Sequence, residues 1–148
     1  MKFEIFGNPI PLQRHRTTIV KGKILAFDSQ SKERDFVRNK LKYLLNCACR
    51  NENPEISKEA KELCFGDKYS LDIQTHHPVP KSAKKLVRMR METGLEYHNK
   101  KPDGDNLYKW IADCCNGIFY SDDSKIVKGS FLKLYSLTPK VVIIIERI

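Results

Sequence analysis

The chain has 148 residues, of which 41% are hydrophobic and 30% are charged, and its formal net charge at pH 7 is +9. These values predict one globular domain spanning residues 1–148, and the longest apolar run, residues 141–145, falls far short of the roughly 18 residues that a membrane span needs. The positive charge favours a polyanionic partner, so a small-molecule phosphohydrolase is a poor interpretation.

The five cysteines are an odd number, none of them forms a C-x-x-C pair, and the four histidines offer no zinc-binding spacing. This pattern is typical of buried thiols in a reducing compartment. The first ten residues turn polar too soon for a signal peptide. We therefore expect a cytoplasmic protein.

Residues 2–6 alternate apolar and polar side chains, which predicts a first strand, and a proline-rich turn follows. Residues 17–27 predict a β-hairpin. Between these elements lie Arg14 and Arg16, whose guanidinium groups suit bidentate contacts with phosphate. Simple solvation of both arginines is the alternative.

A long helix is predicted to begin at Ser29 or Ser31, because apolar side chains recur at helical spacing from Phe36 to Ala48. The acidic stretch at residues 51–67 predicts a loop with a short helix around residues 57–63, and we expect it to face away from nucleic acid.

Residues 68–77 alternate as a half-buried strand does. That strand contains Asp72, which is interpreted as a solvent-facing residue rather than a site residue. It also contains His76 and His77, which are weak candidates for general bases.

A strongly basic segment follows, beginning with a predicted helix at residues 80–93. Seven basic residues against two glutamates give residues 81–101 a net charge of +5. A charge run is usually a solvated face, but this one leads directly into a group of carboxylates that would repel DNA on their own. The predicted contacts with the DNA backbone are Arg14, Arg16, Lys81, Lys84, Lys85, Arg88, Lys100 and Lys101.

Residues 103–123 reverse the charge balance, with five aspartates and a single lysine. Short, stiff carboxylates are the ligands that a hard cation such as Mg²⁺ prefers, and crowded like charges cost free energy unless a cation compensates them. An EF-hand is excluded, because Cys114 occupies the position where its loop needs a bidentate glutamate. The segment therefore predicts a metal site that faces a polyanion.

Spacing predicts the local geometry of this segment. Asp103 and Asp105 would project to one face of an extended stretch, and Asp105 or Asn106 would cap a helix that ends near Gly117. The apolar stripe of that helix is Leu107, Trp110, Ile111 and Cys114.

A turn holds Asp122 and Asp123, and turn chemistry is the plain alternative for that pair, as capping is for Asp103 and Asp105. Strands are predicted from residue 125 and over residues 140–147, which gives an α+β fold with a mixed sheet.

The segment KPDGDNLYKWIADCCNGIFYSDDSKIV, residues 101–127, resembles the signature of the RusA family of Holliday junction resolvases. Weaker similarity extends to residues 9–16 and 78–82, so the resemblance covers nearly the whole chain. Two positions depart from the family pattern. Gly104 separates the first two aspartates, and Cys115 stands where leucine is common.

The residue pattern favours a mechanism in which Asp103, Asp105 and Asp123 bind one or two Mg²⁺ ions, with Mn²⁺ able to replace them, and Asp122 shares that role. Lys109 would stabilise negative charge on the phosphate, with Asp113 and Asn106 as supporting residues. The resemblance implies the rest: a four-way DNA junction as substrate, a homodimer, and paired symmetric nicks.

Two rival interpretations stay open. One is a nuclease of the same fold that acts on other branched or single-stranded DNA. The other is a module that binds nucleic acid without cutting it, in which the aspartates are structural.

Overall fold

A mixed sheet of four strands forms the centre of the fold. The computed structural model describes residues 1–13, 16–20, 23–64 and 66–148, with residues 16–20 and 24–27 described by their backbone alone. Its elements in chain order are β1 (Lys2–Phe6), β2 (Arg16–Val20), β3 (Lys23–Phe27), α1 (Ser31–Cys49), α2 (Pro54–Leu63), β4 (Tyr69–Pro78), α3 (Lys85–Glu92), α4 (Gly104–Cys115), β5 (Ile126–Ser136) and β6 (Lys140–Arg147).

The strands of the main sheet follow the order β1-β6-β4-β5, and β2 pairs with β3 in a separate antiparallel hairpin. Strand β6 runs antiparallel to both β1 and β4, whereas β4 and β5 are parallel. Parallel neighbours need a long crossover, and here the crossover contains α3 and α4. The predicted α+β fold with a mixed sheet is confirmed.

The core lies between the sheet and the apolar faces of α1 and α4. Val37, Leu41 and Leu45 of α1 are buried as the helical spacing predicts. Phe36 is not, because 64% of its surface is exposed. The predicted stripe on α1 is therefore one residue narrower than expected.

Two helix boundaries differ from the prediction. Helix α2 begins at Pro54 after an Asn53 cap, because proline is favoured in the first turn and the Asn53 side chain accepts from the Glu55 amide at 2.9 Å. Helix α3 begins only at Lys85, because the chain first makes a turn in which the Ala83 amide donates to the Pro80 carbonyl at 3.1 Å.

The cysteines are free thiols, but only Cys114 and Cys115 are buried. Cys47 and Cys64 are exposed, so the prediction of buried thiols is wrong for those two. In the part of the chain that the structure describes, no helix combines the length and the apolar character that crossing a membrane would require.

Candidate functional site

Helix α4 carries most of the predicted site residues, and its start differs from the prediction. Asp103 is the N-cap, in extended conformation with φ −69° and ψ 144°, and its carbonyl accepts from the Leu107 amide at 3.2 Å. Gly104 and Asp105 therefore belong to the first helical turn. The prediction of two carboxylates on one extended stretch is wrong, because the N-cap Asp103 precedes the predicted caps, Asp105 or Asn106, by two or three residues.

The buried face of α4 confirms the predicted stripe, since Leu107, Trp110, Ile111 and Cys114 are each 2% exposed or less. The C-terminal end is held from α1, because Arg38 Nη1 donates to the carbonyl groups of Cys114 at 3.1 Å and Asn116 at 2.7 Å. Gly117 follows with φ +70°, the left-handed conformation that ends many helices.

The start of α4 rests on strand β5 through two side chains that share one strand face. A Cβ on Gly104 would lie 2.8 Å from Cε1 of Phe131, so only glycine fits at this distance. Two residues further along β5, Lys133 Nζ donates to the carbonyl groups of Lys100 and Pro102, the latter at 2.7 Å. The departure from the family pattern at Gly104 is therefore explained by packing.

A cleft of about 590 Å³ opens between α4 and β5. We call it the α4–β5 cleft, and it is lined by Tyr108, Lys109, Ala112, Asp123 and residues 126–131. Lys109 comes from α4 and Asp123 from the short 3₁₀ turn before β5, so the crossover brings together two predicted catalytic residues that are distant in sequence.

Tyr108, which lines this cleft, is hydrogen-bonded to the sheet. The Tyr108 hydroxyl donates to the Leu71 carbonyl of β4 at 3.3 Å, and the Tyr108 ring makes an edge contact with Phe131. Burial and then the Asp72 carboxylate raise the pKa of Tyr108. Asp72 itself is half-buried on β4 and does not line the cleft.

Charges around the cleft interact. Burial raises the pKa of Asp113, Lys109 and Arg34 lower it, and the Asp123 carboxylate raises it further. The structure therefore brings Lys109, Asp113 and Asp123 within electrostatic range of one another. Asp105 precedes Lys109 by one helical turn and is exposed, so it belongs to the same side of α4.

Asp122 behaves differently from Asp123. Its Oδ1 accepts from the Ser124 amide at 3.0 Å, and this bonding to Ser124 lowers its pKa. The Asp122 carboxylate thus caps the turn, which is the turn chemistry given above as the alternative to metal binding.

The predicted ligands do not form a closed cluster. Among residues 1–13, 16–20, 23–64 and 66–148, no three His, Cys, Asp or Glu side chains come close enough together to hold a metal ion. Asp123 nonetheless lines the α4–β5 cleft, and its carboxylate raises the pKa of Asp113. Carboxylate oxygens are the donors that suit a hard cation.

The structure describes some of the predicted DNA contacts more fully than others. Arg14 lies outside the described residues, and of Arg16 the structure gives only the backbone, at the start of β2. Arg88 is held by Glu92, with 2.9 Å between Nε and Oε1. The exposed lysines among the predicted contacts are Lys81, Lys84, Lys85, Lys100 and Lys101.

His77 of β4 is buried, whereas its neighbour His76, on the opposite face of the strand, is half-buried. His77 is 5% exposed, stacks on His98 with 3.9 Å between ring centroids, and lies 3.2 Å from the Thr75 hydroxyl. Its ring therefore belongs to the packed interior.

Comparison with known proteins decides the family. A family model described as "Endodeoxyribonuclease RusA" matches residues 7–146. The chain belongs to the RusA family. Membership of RusA implies nuclease activity on DNA, and it confirms the resemblance carried by residues 101–127. Among curated proteins, the "Uncharacterized protein YqaN" of Bacillus subtilis (strain 168) is 30% identical over 150 residues, which cover 100% of this chain and 96% of YqaN.

Proposed function

We propose that this RusA-family protein is a Mg²⁺-dependent endodeoxyribonuclease that resolves four-way DNA junctions by paired symmetric nicks during recombination and repair. One observation carries the proposal. Lys109 and Asp123 line a single open cleft, and both stand at family motif positions, on a chain with a net charge of +9. An open, partly cationic groove suits a DNA backbone better than a small substrate.

Asp103, Asp105 and Asp123 are the residues that would hold the metal. All three are exposed, at the start of α4 or in the turn before β5, so packing does not fix their side chains in one orientation. Asp122 contributes less, because its carboxylate is bound to the Ser124 amide. The bound ion would lower the pKa of a water ligand and polarise the phosphoryl oxygens.

The protein's own side chains supply orientation and charge. Lys109 is exposed in the cleft, where its ammonium can stabilise negative charge on the phosphate or the leaving oxygen. Asp113 lies one turn further and interacts with Lys109, so it orients that ammonium. Asn106 fixes the helix, because its carbonyl accepts from the Leu12 amide at 3.0 Å.

The exposed lysines of residues 81–101 would bring the phosphates of the junction to the carboxylates. A homodimer would place two clefts in the two-fold relation that a four-way junction shares, which is how paired nicks would arise. The proposed setting is the cytoplasm, where DNA is the partner.

The test is cleavage of a synthetic four-way junction, a flap and a plain duplex, each with Mg²⁺ or with EDTA. We expect nicks in the junction only, lost in EDTA and reduced on the order of 100-fold or more in Asp105→Asn while junction binding survives. Asp35→Asn, which removes an exposed carboxylate from α1, is the matched control and keeps full activity.

Two other outcomes of this experiment would support the rival interpretations of the sequence. Cutting of the flap at the same rate as the junction would point to a nuclease of broader selectivity. Tight binding without cleavage in Mg²⁺ or Mn²⁺ would refute the enzyme and favour a binding module.

A further inference from the structure

The segment that precedes Asp103 is fastened to the outer edge of strand β5. Tyr97 forms an antiparallel bridge with Leu134, and the His98 amide donates to the Lys133 carbonyl at 3.1 Å. The Lys133 ammonium then donates to the carbonyl groups of Lys100 and Pro102. One strand residue therefore holds this segment by its main chain and by its side chain.

The orientation of Lys133 is unusual for a lysine at the edge of a sheet. Its side chain is half-buried, and burial lowers its pKa while the nearby Asp103 carboxylate opposes this shift. Withdrawing an ammonium from water costs free energy that the two carbonyl acceptors offset. A lysine that merely kept a sheet edge soluble would point into solvent.

Phe131 and Lys133 lie on the same face of β5 and contact neighbouring parts of the segment around Asp103. Phe131 lies against Gly104, the first residue of α4, and Lys133 binds the carbonyl groups of Lys100 and Pro102, which precede the N-cap. Asp103 sits between these two supports, and its own side chain makes no capping hydrogen bond. Its carboxylate is therefore placed by the backbone on either side of it.

We propose that Lys133 is a positioning residue of the nuclease: by binding the carbonyl groups of residues 100 and 102, it sets where Asp103 presents its carboxylate beside the α4–β5 cleft. The inference rests on the proposed function, in which Asp103 is a metal ligand. A displacement near 1 Å at such a group costs on the order of 100-fold in rate. Supporting residues of metal ligands typically contribute about 10- to 100-fold.

The first arm of the test is kinetic. Single-turnover cleavage of the four-way junction is measured for Lys133→Met, which keeps the aliphatic stem and removes the donors. We expect the rate to fall roughly 10- to 100-fold while the dissociation constant of the junction, measured in EDTA, stays within about twofold. Lys133→Arg, which keeps donors and charge, recovers most of the rate. Lys42→Met, an exposed lysine of α1, is the charge-matched control with full activity.

The second arm does not depend on activity. Amide hydrogen exchange is followed by mass spectrometry in Lys133→Met and in the wild type. We expect faster exchange confined to residues 98–107, because the loop loses its anchor and the first turn of α4 frays. If Lys133→Met does not fold, Lys133→Gln, which keeps one donor group, carries the same expectations.

The two arms separate this inference from the proposed function. Wild-type protein that cuts nothing overturns the nuclease proposal, and with it a role for Lys133 in cleavage. If hydrogen exchange at residues 98–107 is the same in Lys133→Met as in the wild type, Lys133 does not anchor this segment. If the cleavage rate of Lys133→Met stays within twofold of the wild-type rate, Lys133 is a purely structural residue and the positioning role is overturned. If the cleavage rate and the junction affinity of Lys133→Met fall by the same factor, Lys133 contributes to DNA binding, and the positioning role is again overturned.

Discussion

Gly104→Ala tests how tightly strand β5 supports the start of α4. The new Cβ would lie 2.8 Å from Cε1 and 3.1 Å from Cδ1 of Phe131. Carbon atoms in good contact are roughly 3.5–4.0 Å apart, so the ring and the helix must separate by about 0.7 Å. Overpacking of this kind costs about 1–3 kcal/mol.

An opposing effect reduces that cost. Alanine is favoured over glycine by up to about 1 kcal/mol within a helix, and the gain is smaller in the first turn. Phe131 is only half-buried, so its ring can yield. We therefore expect a net loss of about 1 kcal/mol in the free energy of unfolding, which corresponds to a fall in Tm of about 2–4 °C for a chain of this size.

A double-mutant cycle with Phe131→Leu isolates the contact. Urea unfolding is measured for the wild type, Gly104→Ala, Phe131→Leu and the double variant. Because the smaller leucine leaves room for the new methyl group, the double variant should be more stable than the two single losses predict, by about 0.5 kcal/mol or more. Strict additivity, or a stabilised Gly104→Ala, would refute the packing argument.

Three further expectations concern charge and capping. Lys109→Ala should lower the single-turnover rate on the order of 100- to 1,000-fold with junction binding retained, and an unchanged rate would remove Lys109 from the chemistry. Arg38→Met should lower the free energy of unfolding by about 1–3 kcal/mol, because two carbonyl groups at the end of α4 lose a charged donor. Arg50→Met, exposed at the end of α1, is its control in urea unfolding and should change little. Burial, followed by the charges of neighbouring residues, lowers the pKa of His77 from 6.5 to about 4, so the unfolded chain binds a proton that the folded one does not. Stability should therefore fall as the pH drops from about 6.5 to about 4, and His77→Gln should flatten that slope in urea titrations at several pH values.

The repeating patterns of the sequence predicted the elements well. The stripe on α4 and the alternation along β4 follow from periods of 3.6 and 2 residues, and burial of one face is a local consequence of each. The mixed sheet followed from the order of strands and helices. Such features need no knowledge of distant contacts.

The sequence did not predict features that depend on competition between capping residues or on contacts between residues far apart in the chain. Asp103, Asp105 and Asn106 are all good capping residues, and the contact of Gly104 with Phe131 is consistent with the earlier start that the structure shows. Lys133 gave no local signal, because its partners lie some thirty positions away and are main-chain carbonyl groups. The sequence indicates only that Lys133, two residues after Phe131 on a predicted strand, projects to the same face as Phe131.

The pairing of β1 with β6 has a consequence for synthesis on the ribosome. The strands of this pair lie far apart in sequence, with Lys2 opposite Ile144, so the pair forms only after β6 has emerged. Helix α4 leaves the exit tunnel before the strand that carries Phe131 and Lys133. Until β5 has emerged, α4 therefore lacks the support of Phe131 and Lys133, and we expect the proposed cleavage activity to appear only after β5 has packed against α4.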